Sequence, residues 1–448
     1  MGFFTDTPRS AALRDPVLLR SSKTAGLFFV PATPTPEVRD WHGEEVLAVL
    51  APGQGAQKPG MLTDWLELPG AESFFRWAGA IAGADLLELG TTGDEEAIRD
   101  TAVTQPLVVA MSLFVARELG GLPGPVAHTP QAGRDVVIAG HSVGELTAAA
   151  LAGVLSVEAA IALTAVRGRA MAAACAQTPT GMSAVLGGDP DEVLAAIESH
   201  GLVPANRNGG GQVVAAGALD ALDALRADPP AKARVMPLSV AGAFHTRYMA
   251  GARTELEGLV GGLTPAQPSR LLLSNADGAA VDSGPEVLSR LVSQVTSPVR
   301  FDACLDTLRG LGVTAVIELP PAGALAGLAK RDWKGRAGGD VEILALTEPA
   351  DLDRARDLIA AERGRSEAEH QPDWRVVVAP ARGSVSPAGV AEGASLPAGS
   401  RLATIAGRRE TVEVAAGYAG VLAEWLVAEG DLVDAGDPIA RLYPEVSA

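Results

Sequence analysis

Cysteine is nearly missing from this chain: Cys175 and Cys304 are the two in 448 residues, with no CxxC spacing and no His/Cys cluster. Neither a disulfide framework nor a thiolate metal site is indicated, and the expected compartment is reducing. Aromatic residues make up 4% against 47% hydrophobic overall, so the core has to be built from Ala, Val and Leu, as suits helices packed closely on a sheet. Basic blocks are absent too. With 54 acidic and 36 basic side chains the formal charge is −18, so nucleic acid is not an expected partner. An anionic ligand would be held by local cations or helix N-termini. No apolar run reaches the roughly 18 residues of a membrane span, and the N-terminus has no charged segment followed by a sustained apolar stretch. A cytoplasmic protein without membrane association is expected.

The length predicts two or three domains. Residues 1–45 carry no sustained period, and Pro31 to Pro36 reads as an extended tether, so a poorly ordered extension is expected there. Three short apolar runs then read as strands buried on both faces: Val46 to Leu50, Asp135 to Ala139, and Ala315 to Leu319. Helical stretches follow the second, from Glu145 to Leu151, and the third, from Ala324 to Lys330. Strands alternating with helices imply a parallel sheet. Between about 181 and 240 the texture becomes a compact βαββαβ pattern, read as a ferredoxin-like subdomain inserted in the larger fold. Residues 349–372 are charged and read as a linker. Beyond them a repeat recurs at an offset of 37 residues, matching Gly383 with Gly420 and Ala391-Glu392-Gly393 with Ala428-Glu429-Gly430. Two copies of one short β unit predict a small pseudo-symmetric β domain over 373–448.

Chemistry concentrates at Gly140-His141-Ser142-Val143-Gly144, between an apolar strand and a helix. Strand, sharp turn with serine, helix is the nucleophile-elbow arrangement. The helix's first free N–H groups, starting with Val143, point where an oxyanion would form, and one such donor contributes about 3 to 4 kcal/mol in the transition state. A glycine-rich turn with an incidental serine would give the same five residues. Serine needs a base. Of six histidines, His42 and His370 fall in presumed linkers, His128 in a loop and His200 at an exposed helix end, while His141 adjoins the serine and faces elsewhere. His245 remains, although a core histidine with a satisfied hydrogen bond would look the same. Arg167 lies on an otherwise apolar helix, Ala159 to Ala174. It either snorkels to solvent or grips a carboxylate bidentately, which would select acyl groups with a free carboxylate.

Seven ordered stretches together resemble the malonyl-CoA:acyl-carrier-protein transacylase family, from about Val46 to Arg331. They are Pro52 to Gln57, Thr104 to Leu107, Gly140 to Glu145, Val166 to Met171, Ala205-Asn206-Arg207-Asn208, Gly242 to His245, and Gln294 with Pro298-Val299. The resemblance implies an α/β-hydrolase-like parallel-sheet core in an acyltransferase domain over 46–348. It implies that Ser142 attacks the malonyl thioester, His245 shuttles the proton, and the N–H groups of Gln54 and Val143 form the oxyanion hole. Arg167 would hold the malonyl carboxylate; Gln294, Asn206, Phe244 and His141 would support the site, with a backbone carbonyl orienting His245 in place of a catalytic aspartate. Malonyl would pass from coenzyme A to Ser142 and on to the phosphopantetheine thiol of acyl carrier protein, for fatty-acid or polyketide synthesis, with no metal or redox cofactor. Phe244 and Val143 resemble the malonyl-selective variants, because a bulky ring leaves less room for an extra methyl.

The tail resembles a biotinyl/lipoyl-type barrel-sandwich domain. Carrier versions present a lysine on the hairpin between the repeats, but here that stretch is Ala406-Gly407-Arg408-Arg409-Glu410-Thr411, and the last lysine is Lys334. Neither biotin nor lipoate is expected, and a structural role or the docking of a partner is. Two rivals stand beside transfer: a serine hydrolase or thioesterase, since the elbow serves both, and a scaffold with a vestigial acyltransferase part.

Overall fold

A computed structural model of the protein describes residues 46–120, 136–334, 341–359, 375–407, 410–417 and 419–444. The extension expected over 1–45, and His42, His128 and His370 with it, lie outside the described residues.

The apolar runs form strands Val46–Ala51, Val136–Gly140 and Val313–Glu318, the first two buried along their whole length. With Glu342–Ala345 and Leu271–Leu273 they make a five-stranded parallel sheet, in the order Glu342–Ala345, Val313–Glu318, Val46–Ala51, Val136–Gly140, Leu271–Leu273. A parallel sheet needs cover on both faces, which is why these strands read as continuous apolar runs. Part of that cover comes from helix Gly144–Leu151, on which helices Thr101–Glu118 and Val157–Gln177 pack in turn. The last is started by Ser156, whose hydroxyl accepts the Ala159 N–H.

Val157–Gln177 bears on the expected lack of a membrane span, although Glu158, Arg167 and Arg169 interrupt its apolar residues. An 18-residue window of this 21-residue helix reaches a mean hydropathy of 1.3, long and apolar enough by composition to cross a membrane. It packs instead against Thr101–Glu118 and Ala250–Val260, and Ile161, Ala165 and Met171 lie in the main core. A helix apolar on nearly every side belongs in the middle of a large core as readily as in lipid.

The inserted segment has strands Thr180–Gly187, Val203–Gly209, Gln212–Ala218 and Ala233–Pro237, with helices Pro190–Ser199 and Leu219–Ala227 between them. Its strands pair antiparallel, with Ala233–Pro237 and Val203–Gly209 outermost among the four. Val185, Ile197, Leu222 and Leu225 form its own core on the helical side. Met182, Ala205, Val214 and Ala216 belong to the main core on the other. The two-residue strand Val299–Arg300 then joins the insert's edge, setting Asn206 opposite Val299. That ties the insert to the segment just after Gln294.

The segment read as a linker from 349 starts differently. Residues 351–359 are helical, and Leu352, Ala355 and Ile359 are buried in the main core, so its charged residues are one face of a packed helix. Residues 360–372 lie outside the described residues.

The C-terminal region is two four-stranded antiparallel sheets. One runs Arg375–Val378, Pro438–Pro444, Gly420–Trp425, Ser395–Leu396; the other runs Thr411–Ala415, Arg401–Ala406, Gly383–Pro387, Leu432–Val433. Gly383, Ser395 and Arg401, which open three strands, stand 37 residues before Gly420, Leu432 and Pro438, which open three others. Each sheet therefore mixes strands of both repeats.

Candidate active site

Three loops at the carboxyl ends of neighbouring parallel strands build the site, the usual place for a ligand in an open α/β sheet. Gln54 follows Val46–Ala51, Ser142 follows Val136–Gly140, and Asn275 follows Leu271–Leu273. Ser142 takes φ 53°, a left-handed conformation that a serine adopts only where its surroundings impose it. The glycines around it are required by space. A Cβ on Gly140 would lie 2.2 Å from the Gly144 carbonyl carbon, and one on Gly144 would lie 2.2 Å from the Ala51 carbonyl oxygen. Asn275 clamps both sides of the turn: its Oδ1 accepts the Ser142 N–H at 2.8 Å, and its Nδ2 donates to the Gly140 carbonyl at 2.7 Å.

The Oγ of Ser142 lies 2.7 Å from Nε2 of His245. The other ring nitrogen, Nδ1, lies 2.8 Å from the backbone carbonyl of Gln294. A carbonyl only accepts, so Nδ1 carries the proton and Nε2 is left as the acceptor for the serine hydroxyl. His245 is 3% exposed, and burial together with the nearby Arg167 charge pushes it down to about 3. At neutral pH it is an uncharged base. Its own φ of 61° turns the ring back toward the serine, and Gly242 lets the preceding loop close on the long helix, since a Cβ there would lie 2.6 Å from the Cys175 sulfur. Phe244, beside it, is buried in the main core.

Arg167 does not snorkel to solvent; it is 3% exposed. Its Nη1 donates to Gln105 Oε1 at 2.7 Å, while Nη2 donates to Gln294 Oε1 at 3.0 Å and to Ser142 Oγ at 3.3 Å. Burial pushes it down to about 10, so it stays charged at neutral pH. Among the described residues no carboxylate comes within ion-pairing distance of it. A buried cation next to a nucleophile, held by two neutral amide oxygens, is equipped to meet an anionic substrate group.

The N–H groups of Val143 and Gln54 have no hydrogen-bond partner among the described residues, as donors reserved for an oxyanion must be. His141 faces away from the serine. Its Nε2 pairs with Asn208 Oδ1 at 2.9 Å, its ring meets Phe301 edge-on, and its carbonyl lies where a Cβ on Gly53 would come within 2.6 Å. It thus backs the loop that carries Gln54. Asn208 is the residue that pairs with His141, while the Oδ1 of Asn206, expected to support the site, is buried with no hydrogen-bond partner among the described residues. The strand places its alternate residues on one face, so a two-residue choice within Asn206-Arg207-Asn208 was not readable from the motif.

Four contributors were missed as site residues. Glu145, Gln105 and Asn208 stood inside motifs already noted, without a role. Asn275 stood outside all of them; its signal is position, a polar residue ending a short apolar run at the same sheet edge as the elbow.

An uncharged base on a serine hydroxyl, two free N–H groups and a buried guanidinium equip a site for acyl transfer through serine. The comparisons agree: the family described as Acyl transferase domain matches residues 49–357, and the one described as Biotin-requiring enzyme matches residues 375–442. A relative from Mycobacterium tuberculosis, named Malonyl CoA-acyl carrier protein transacylase, is 52% identical over 314 residues, covering 70% of this chain and 100% of its own. The crystal structure of MCAT from the same organism superimposes with a TM-score of 0.64 at 51% identity, covering 70% of this chain and 100% of that one. A type II PKS acyl-carrier protein in complex with its malonyl-transacylase gives 0.62 at 30% identity, covering 70% and 100%. The chain belongs to the malonyl CoA-acyl carrier protein transacylase family.

Proposed function

We propose that this protein transfers a malonyl group from malonyl-CoA to the phosphopantetheine thiol of acyl carrier protein, by way of a malonyl ester on Ser142. Ser142 Oγ attacks the thioester carbonyl while His245 Nε2 takes its proton, and the N–H groups of Gln54 and Val143 receive the oxyanion. Collapse expels coenzyme A as thiol, protonated by His245. The carrier's thiol then repeats the steps in reverse and carries the malonyl away. The Gln294 carbonyl keeps Nδ1–H in place throughout, as an aspartate does in a triad. Arg167 receives the malonyl carboxylate. No metal or redox cofactor enters the proposed cycle.

The observation that carries this reading is the position of Arg167 Nη2, 3.3 Å from the serine oxygen. An acyl group ending in a carboxylate has a use for a buried cation there, whereas a neutral acyl group has none. Phe244 beside His245 supports malonyl over methylmalonyl. Two free thiols, Cys175 and Cys304, support a cytoplasmic setting. In one similar structure the carrier is a type II PKS protein, so both fatty-acid and polyketide carriers are to be tested.

We also read the larger domain as α/β-hydrolase-like over residues 46–359 and the insert at about 181–240 as ferredoxin-like. The insert's βαββαβ order and its two outermost strands support the second name. Residues 373–448 are read as a barrel-sandwich domain in a structural or docking role.

Intact-protein mass spectrometry after exposure to malonyl-CoA tests the whole. One malonyl per chain, lost in Ser142→Ala and discharged only when carrier protein is added, is the expected result. Rapid release of free malonate without carrier would establish a hydrolase, and unchanged transfer by Ser142→Ala would refute the nucleophile.

A further inference from the structure

Glu145 lies in the first turn of the helix after Ser142 and is buried at 6% exposure, yet the proposed cycle does not use it. Its Oε1 accepts the backbone N–H of Asn275 at 2.6 Å, and its Oε2 accepts from Nε2 of Gln294. The same Nε2 donates to the Ser142 carbonyl at 3.1 Å. These two acceptors fix which way the Gln294 amide is turned. Its nitrogen faces Glu145 and the elbow, so its oxygen is left facing Arg167 Nη2 at 3.0 Å.

We propose that Glu145 is a positioning residue for acyl selection: by taking the amide nitrogen of Gln294 it leaves the amide oxygen to Arg167, and so aims the guanidinium that meets the substrate carboxylate. This rests on the role given to Arg167 above. The chain of contacts runs Glu145, Gln294, Arg167, and every link depends on an acceptor facing a donor. Replacing Glu145 by Gln keeps size and shape but breaks the alternation. The Asn275 N–H is backbone and cannot turn away, so the new side chain must keep its oxygen there and present its NH2 to Gln294. Gln294 then relieves the clash of donors by turning over, which sets its own NH2 against Arg167. Protonation does the same, since the carboxyl then offers an O–H where it had an acceptor. Burial pushes Glu145 up to about 7, opposed by its hydrogen bonds from the Asn275 N–H and the Gln294 amide and by the Arg167 and Arg290 guanidiniums.

The experiment measures Ser142 loading from malonyl-CoA and from acetyl-CoA, by mass spectrometry, for the full-length wild type, Glu145→Gln and Arg167→Ala. The ratio of malonyl to acetyl kcat/KM should fall about tenfold or more in Glu145→Gln, the loss of one hydrogen bond on a charged group. A merely structural role would lower both substrates together and leave the ratio alone. If Arg167→Ala lowers the ratio and Glu145→Gln does not, the proposal is overturned while the role of Arg167 stands. If Arg167→Ala leaves the ratio unchanged, the role of Arg167 fails, and the proposal with it. Should Glu145→Gln not fold, the wild type decides. Its KM for malonyl-CoA should rise as pH falls through about 7 while that for acetyl-CoA does not, and a level malonyl KM from about pH 8.5 to about 5.5 would overturn the proposal.

Discussion

The Nη2 of Arg167 stands 3.3 Å from the Oγ of Ser142, so a buried positive charge touches the nucleophile itself. The carboxylate of a malonyl group lies one methylene beyond the carbonyl that the serine attacks. A guanidinium in contact with the serine meets both ends of so short an acyl group. It also favours the developing alkoxide.

Removing that charge should therefore separate two substrates. Arg167→Ala is expected to lower kcat/KM for malonyl-CoA about a hundredfold, the scale of a buried charge pair losing one member. Acetyl loading should be retained or improved, because acetyl brings no carboxylate to be orphaned. Paired loading kinetics with the two thioesters check this.

His245 makes a prediction about stability. Burial and the Arg167 charge hold it at about 3, below the ordinary histidine value of 6.5. Between those two values the unfolded chain binds a proton that the folded one does not, so this residue costs the fold increasing stability as pH falls from 6.5 toward 3. Glu145, raised from 4.5 to about 7, acts in the opposite direction over part of that window. His245→Gln removes the histidine's effect and leaves that of Glu145. Its melting temperature should gain on the wild type's as pH drops from about 7 to about 5, and a constant difference would refute the shift.

Gly144 is a steric requirement. A methyl there must displace the Ala51 carbonyl, which lies 2.2 Å from its position and accepts the His141 N–H. Gly144→Ala is expected to destabilise the protein by about 1 to 3 kcal/mol and to abolish serine loading, because the elbow and the strand beside it shift together. Chemical denaturation and labelling with malonyl-CoA measure the two effects separately.

The tail should remain unmodified. Its repeat hairpin has Arg408 and Arg409 where carriers have a lysine, and no lysine follows Lys334. Co-expression with a biotin ligase or a lipoate ligase should leave the mass of a fragment covering 373–448 unchanged, and a gain of either group would refute this.

Much of this was legible because it rests on local rules. A continuous apolar run such as Val46 to Leu50 announces a strand buried on both faces, and Gly140 to Gly144 announces a turn too tight for side chains. What escaped was set by contacts distant in sequence. Asn275 is 133 residues from Ser142, and only the order of strands in the sheet brings it to the elbow. Residues 351–359 looked like linker because their charges are visible in sequence, whereas the burial of Leu352, Ala355 and Ile359 depends on a core assembled elsewhere. Asn206 and Asn208 are alternate residues of one strand, and which of them meets the His141 ring depends on where that ring lies, 67 residues away in sequence from Asn208.

The two repeats of the C-terminal region are not neighbours but a clasp. Since each sheet draws strands from both, a chain cut at the hairpin after Ala406 leaves two halves that each hold parts of two incomplete sheets and whole parts of none. Neither half has an interior to collapse around. The region is thus a single folding event that waits for Pro438–Pro444 to be made, the strand that joins Arg375–Val378 to Gly420–Trp425.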